Sequence, residues 1–266
     1  MMRFGMFFTL LLCFACPALQ AAEPPYPYLE TQQELVEDLF FGVPGDADMI
    51  LKRTGFSLGY SGKYRQALWV SYILYAENLN AKKVRRSNKF MADPKILVGA
   101  VQPSDYVRTG YDRGHLAPAA DMTYSADAMK HSFFMTNISP QIPGCNRGIW
   151  KRLEKLVRQW ARREEQLCIV TGPLFDFDQE KVMGTSGVPV PCGFYKVILD
   201  LTPPMKMIGF IIPNQTSKKR LSRFAVPVDT VERLTGCDFF SALPDDIEDR
   251  LEAQSDFSAW STPDSD

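Results

Sequence analysis

Two histidines, His115 and His131, are the only imidazoles in this chain of 266 residues. Sites needing two or three histidine ligands are therefore almost excluded, and any imidazole acid or base must be one of this pair. His115 stands in Tyr111-Asp112-Arg113-Gly114-His115-Leu116-Ala117-Pro118. The glycine permits close backbone approach and the proline ends regular structure. A charged pair followed by Gly-His is an unusual choice for a core, although a lone histidine beside an aspartate is more often a satisfied structural group. His131, in Met129-Lys130-His131-Ser132-Phe133-Phe134, reads as structural or merely exposed, on a helix ahead of a strand. Further along, Asn146 opens a long helical segment and Glu154 follows two turns later. An amide oxygen with a carboxylate nearby suits a hard divalent cation such as Mg²⁺, which takes few protein ligands and keeps several waters. Each has a plainer alternative: Asn146 as a helix cap, Glu154 as a surface carboxylate.

The elements that must position these groups can be read from periodicity. Apolar residues at Ile149, Trp150, Leu153, Leu156, Val157 and Trp160 recur at three and four, which predicts an amphipathic helix from about Asn146 toward Glu165. Shorter helices are predicted over Thr31 to Phe40, Asp229 to Leu234 and Asp245 to Glu252. Aromatic and branched residues predict strands at Phe56 to Tyr60 and Ala67 to Tyr75, parted by a Ser61-Gly62-Lys63 turn. Further strands are predicted at Cys168 to Thr171, Phe194 to Leu201 and Met205 to Ile212, the last two forming a hairpin through Thr202-Pro203-Pro204. Hairpins with a few helices imply a single α+β domain over 23–266 with a mainly antiparallel sheet and flanking helices.

Bulk composition bounds the rest. With 45% hydrophobic residues the chain has ample material for a core. Residues 1–22 differ: Arg3, an apolar run from Phe7 to Ala15, then small residues around Ala21 and Ala22. This pattern describes a signal peptide, and the run is short of the ~20 residues that span a bilayer, so no stable membrane anchor is expected. The implied destination is export, periplasmic or fully secreted. Outside that leader remain Cys145, Cys168, Cys192 and Cys237, which in an exported chain form two disulfides in one of three pairings or stay as buried free thiols. Net charge is −1, which announces no polyanion partner. Local basic clusters nonetheless occur at Lys82-Lys83-Val84-Arg85-Arg86, at Lys151-Arg152 with Lys155, Arg158, Arg162 and Arg163, and at Lys218-Lys219-Arg220. Such faces can grip phosphates on a nearly neutral protein, or simply be solvated.

Taken together, Asp112-Arg113-Gly114-His115, Thr136-Asn137-Ile138-Ser139-Pro140-Gln141, Asn146 through Trp150 and Leu153-Glu154 resemble the DNA/RNA non-specific endonuclease family. Weaker likeness at Phe41-Gly42-Val43-Pro44, Trp69-Val70-Ser71-Tyr72, Thr171-Gly172-Pro173-Leu174, Phe194-Tyr195-Lys196-Val197 and Leu243-Pro244-Asp245-Asp246 extends it over roughly residues 41 to 252.

The resemblance implies a ββα-metal finger in which His115 is general base on water and Asn146 the sole direct protein ligand of Mg²⁺. Mn²⁺ or another divalent cation is the alternative. Glu154 would orient a water of the cation's shell, Asn137 would help position the site, and Arg113 would stabilise it or contact phosphate. The family also uses an upstream arginine near the scissile phosphate: Arg86 is the better match, with Arg85 as the other register. The implied activity is hydrolysis of DNA and RNA through backbone contacts that carry no sequence information, and family members are often homodimers. A catalytically silent nucleic-acid binder, or a phosphodiesterase acting on another ester, would carry the same fold.

Overall fold

The computed structural model describes residues 37–176 and 181–260. The described residues group as one compact unit, built on a seven-stranded sheet in which every neighbouring pair is antiparallel. In spatial order its strands are β1 (Met49–Arg53), β2 (Phe56–Ser61), β3 (Gln66–Tyr75), β6 (Gln166–Leu174), β9 (Gly193–Asp200), β10 (Lys206–Pro213) and β11 (Ala225–Val226). The predicted hairpins β2–β3 and β9–β10 are present, and the architecture is the α+β class read from the sequence. β1 was missed because Met49-Ile50-Leu51-Lys52-Arg53 lies at the sheet edge with only Leu51 buried, which leaves little alternation to detect.

The helix α3 (Lys151–Glu164) packs its apolar stripe against this sheet. Leu153, Leu156, Val157 and Trp160 are all buried in the main core, where the Trp160 ring meets those of Phe210 and Trp260. Transferring such side chains out of water stabilises the fold by roughly 1.5–3 kcal/mol each. The sequence placed the helix start at Asn146. Instead, Cys145–Trp150 forms a wide π-turn, and Gly148 departs from helical dihedrals before α3 begins. A widened turn of this kind re-aims its side chains relative to the helix axis. The remaining helices are α1 (Ala76–Asn80), α2 (Ala126–Ser132), α4 (Val228–Thr235) and α5 (Asp245–Glu252), the last two close to their predicted bounds. Of the helix predicted over Thr31 to Phe40, the described part is a 3₁₀ turn at Glu37–Leu39, and the rest lies outside the described residues.

A second, two-stranded sheet pairs β4 (Asp112–His115) with β5 (Ile138–Gln141), setting His115 opposite Ile138 and Asp112 opposite Gln141. A small ribbon of β7 (Val182–Met183) and β8 (Val188–Pro189) shares a core cluster with Ile138 of β5. Bonds to the main sheet anchor the β4–β5 hairpin. Ser139 donates to Gln66 Oε1 at 2.5 Å, Asn214 Nδ2 donates to Pro140 O at 3.0 Å, and the Ile142 amide donates to Asn214 Oδ1 at 2.8 Å.

The expected disulfides are absent. Cys145, Cys168, Cys192 and Cys237 are free thiols in separate surroundings. Cys145 points its thiol at Pro213 O, Cys192 points its own at Leu174 O, and Cys168 is buried on β6. Among the described residues no helix is long and apolar enough to cross a membrane.

Candidate active site

His115 ends β4, and Arg113, two residues back, shares its face of the strand. Both reach Phe90: the His115 ring lies 5.5 Å from it, and the Arg113 guanidinium sits 4.6 Å over it. Phe133 closes the cage edge-on, 4.8 Å from His115. The Arg86 guanidinium lies 5.6 Å over that same Phe133 ring, and its charge acts on His115. Arg85 makes no comparable contact. Of the two adjacent arginines, it is Arg86 that lies over a ring of the His115 cage.

Burial first, then the Arg86 charge, push the His115 pKa down to about 3, so the ring is neutral throughout the physiological range. Its Nε2 is buried and has no hydrogen-bond partner. A buried imidazole nitrogen without a partner loses roughly 1–3 kcal/mol of solvation, which a water or substrate group entering the cage would restore.

Asp112 joins the two halves of the site. Asn146 Nδ2 donates to its Oδ2 at 2.9 Å, and Arg147 donates to both carboxylate oxygens at 2.7 and 2.6 Å. Burial alone would raise this carboxyl, but the bonds from Arg147 and Asn146 outweigh it and hold Asp112 below the usual carboxylate range. With the amide nitrogen tied to Asp112, the Asn146 side chain has its carbonyl oxygen left as a donor. That is the donor a hard cation takes.

Asn137 does not join the reacting face. Its Oδ1 accepts from the Ala117 amide at 2.9 Å, and its Nδ2 donates to Ala117 O at 3.0 Å and Ser132 O at 2.9 Å. It therefore pins the strand that leaves His115 against the end of α2. Gly114 is required for a different reason: a Cβ there would run into the side chain of Gln141, which crosses the hairpin. Gln141 is itself buried with neither end of its amide partnered, and the sequence offered no signal for it beyond its place in the motif.

Glu154, half-buried on α3, belongs to a polar cluster that sequence reasoning missed. Arg158 donates to Asp121 Oδ1 at 2.8 Å, and Tyr72 donates to Asp121 Oδ2 at 3.2 Å. Lys196 is fully buried, its ammonium 5.2 Å from the Trp150 ring and 5.7 Å from that of Tyr72. Burial and the Asp121 charge raise the Glu154 pKa to about 7, against the pull of Arg158, Lys196 and Arg86. The only available signal was a lysine, Lys196, in the middle of an apolar strand.

A histidine on a two-stranded hairpin, joined through a carboxylate to an asparagine on the following helical turn, defines a ββα-metal hydrolase centre. Comparison with known proteins agrees. Residues 39–246 match the family model for DNA/RNA non-specific endonucleases. The chain is 29% identical to the mitochondrial nuclease of Saccharomyces cerevisiae, over 89% of this chain and 82% of that protein. It is 32% identical to human mitochondrial endonuclease G, over 74% and 70% respectively. A solved structure of the EndoG/EndoGI complex superposes with a TM-score of 0.72 at 32% identity, covering 78% of this chain and 91% of that one. The chain belongs to the DNA/RNA non-specific endonuclease family, whose members are divalent-metal-dependent nucleases.

These relatives overturn the exported destination read from residues 1–22, since they carry mitochondrial names. The physical reason is one of composition. A stretch with Arg3, an apolar run and no acidic residue does not by itself separate an export leader from an organelle-targeting segment. The periplasmic or secreted assignment is withdrawn, the signal peptide is left without support, and those residues lie outside the described part of the structure.

Proposed function

We propose that this endonuclease hydrolyses phosphodiester bonds of both DNA and RNA with Mg²⁺, using His115 as general base and Asn146 as the cation's protein ligand. The observation that carries this is the Asn146–Asp112 hydrogen bond, which ties the hairpin bearing His115 to the turn bearing Asn146 and uses the amide nitrogen, not the oxygen. The neutral, unpartnered His115 Nε2 can accept a proton from an attacking water. A divalent cation, when bound, supplies positive charge to the phosphoryl and departing oxygens. Arg86 and Arg113, both exposed and each resting on a ring of the cage, are placed to neutralise phosphate charge beside His115. With a cation bound, Glu154 would orient a water of its shell, and Asn137 keeps the His115 strand in place. Mn²⁺ would suit the same oxygen donors.

The test is digestion of plasmid and of RNA, with Mg²⁺ or with EDTA. Both substrates should be cut only with the metal present. In His115→Ala and Asn146→Ala cleavage should fall by at least a thousandfold while the fold persists. Full activity in His115→Ala would remove the general-base role, and an unchanged metal titration in Asn146→Ala would remove the ligand role.

A further inference from the structure

Beside the His115 cage the chain builds a cleft that the reaction chemistry does not use. Phe133 faces His115, while its neighbour Phe134 stacks on His131, centroids 5.3 Å apart and planes 25° from parallel. Lys52 and Arg53 of β1, Thr54, Lys95, Lys130 and His131 line a cleft of about 580 Å³ around that stack. Lys52, Lys95 and Lys130 are exposed, and among the described residues none of them forms an ion pair.

The acidic groups in reach are already engaged or turned to solvent. Asp38, close enough for the Lys52 charge to act on it, accepts from Ser57 Oγ at 2.9 Å. Asp93 pairs with the nearly buried Arg53 and also accepts from Thr136 Oγ1 at 2.6 Å and from the Lys95 amide at 3.0 Å. Asp127, on α2, is exposed. Arg53 in turn lies 5.4 Å over the Phe134 ring, so the floor of the cleft is held from two sides. The backbone amide of Thr54 donates to His131 Nδ1 at 3.1 Å. In the neutral ring the proton is then on Nε2, a donor fixed in orientation by the stack below it.

We infer that Lys52, Lys95, Lys130 and His131 form a second phosphate-binding surface, which holds the nucleic-acid strand flanking the bond being cut. Its choice of partner rests on the nuclease reading above. Three unpaired lysines and one oriented N–H match a row of backbone phosphates better than a single small anion. His115 and His131 are linked by two ring contacts, 4.8 Å to Phe133 and 5.3 Å to Phe134, across one peptide bond, so the surface begins within a few nucleotides of His115 at ~3.4 Å per strand step. Arg86 and Arg113 stand at the His115 end of that link. The surface contributes more affinity to long substrates than to those too short to reach it from His115.

The test uses the whole chain in EDTA, with anisotropy of a fluorescein-labelled 30-base-pair duplex and of a labelled trinucleotide, at salt from 50 to 300 mM. In Lys52→Gln/Lys95→Gln/Lys130→Gln, duplex affinity at 150 mM salt should fall about tenfold or more. The slope of log affinity against log salt should become shallower by two to three, at ~0.9 per phosphate contact. Trinucleotide binding should fall by less. His131→Phe, which keeps the stack and removes the donor, should weaken the duplex about threefold. Charge loss on the distant helices, in Arg233→Gln/Arg250→Gln, should leave the slope within one unit of wild type. An unchanged slope in the triple variant overturns the inference. So does an equal loss on the trinucleotide, or an equal effect from the distant pair. If wild type binds the duplex with this pattern yet cleaves nothing when Mg²⁺ is restored, the nuclease reading fails and the surface stands. If wild type does not bind the duplex at all, both fail.

Discussion

At the residue scale, the titration of the site follows from burial. His115, pushed down to about 3, stays neutral from mild acid upward and sets no limb of the pH profile near neutrality. Glu154, raised to about 7, is half protonated there. A carboxyl with a raised pKa loses its charge as pH falls through that value, so kcat/KM should decline on the acid side of about pH 7. A pH–rate series checks this, and an acid limb centred near 4 would mean that Glu154 need not be ionised. The two arginines should separate in the same assay. Arg86→Ala should lower kcat/KM about ten- to a hundredfold, the effect of losing a charge-assisted contact of ~1.5–3 kcal/mol, while Arg85→Ala should change it less than threefold. Equal losses would mean that the Arg86–Phe133 placement carries no functional information.

At the scale of elements, what matters is how the hairpin is fastened. Asn137 makes three hydrogen bonds between the strand after His115 and the end of α2, all of them buried. Asn137→Ala would strand the Ala117 amide and carbonyl and the Ser132 carbonyl, at a cost of about 2–4 kcal/mol. For a chain of this size that corresponds to a fall in Tm of roughly 4–16 °C. A thermal melt measures it, and a shift under 2 °C would show that the loop is held by other contacts. Activity should drop together with stability, because the same bonds set the position of His115.

At the scale of the whole molecule, charge on the face formed by α4 and α5 sets a pH dependence of stability. Burial and the neighbouring Glu232 raise Glu252 to about 9, and burial with Asp238 and Glu232 raises Glu248 to about 7. Folded values above the unfolded ones, near 4.5, mean that stability from these groups is fully present below about pH 4.5 and is lost as pH rises toward 9. Tm should therefore fall across pH 5 to 9, and Glu252→Gln should flatten the fall. A wild-type Tm that rises steadily over that range would contradict it. The four described cysteines are free. Alkylation of the denatured chain without reduction should label all of them, and a reducing agent should leave Tm unchanged.

Much of this was legible in the sequence, because the signals were local. The period of Leu153, Leu156, Val157 and Trp160 marks the face of α3 that meets the sheet, and alternation with turn residues marks the two large hairpins. His115, Asn146 and Glu154 could be singled out because their motifs are contiguous or nearly so. Sequence reading faltered where neighbours along the chain part company in space, or where distant segments meet. Arg85 and Arg86 are adjacent, yet only one lies over Phe133. Asp121, Arg158, Lys196 and Tyr72 come from a loop, a helix and two strands, and they become one charge cluster under Glu154 only once the sheet has formed. Phe133 and Phe134 look alike in sequence, yet one cages His115 and the other floors a basic cleft. Local elements could be read along the chain, since they depend on propensity and period. Which charges feel one another emerged with the fold, because burial and proximity across the sheet are not written in the order of residues.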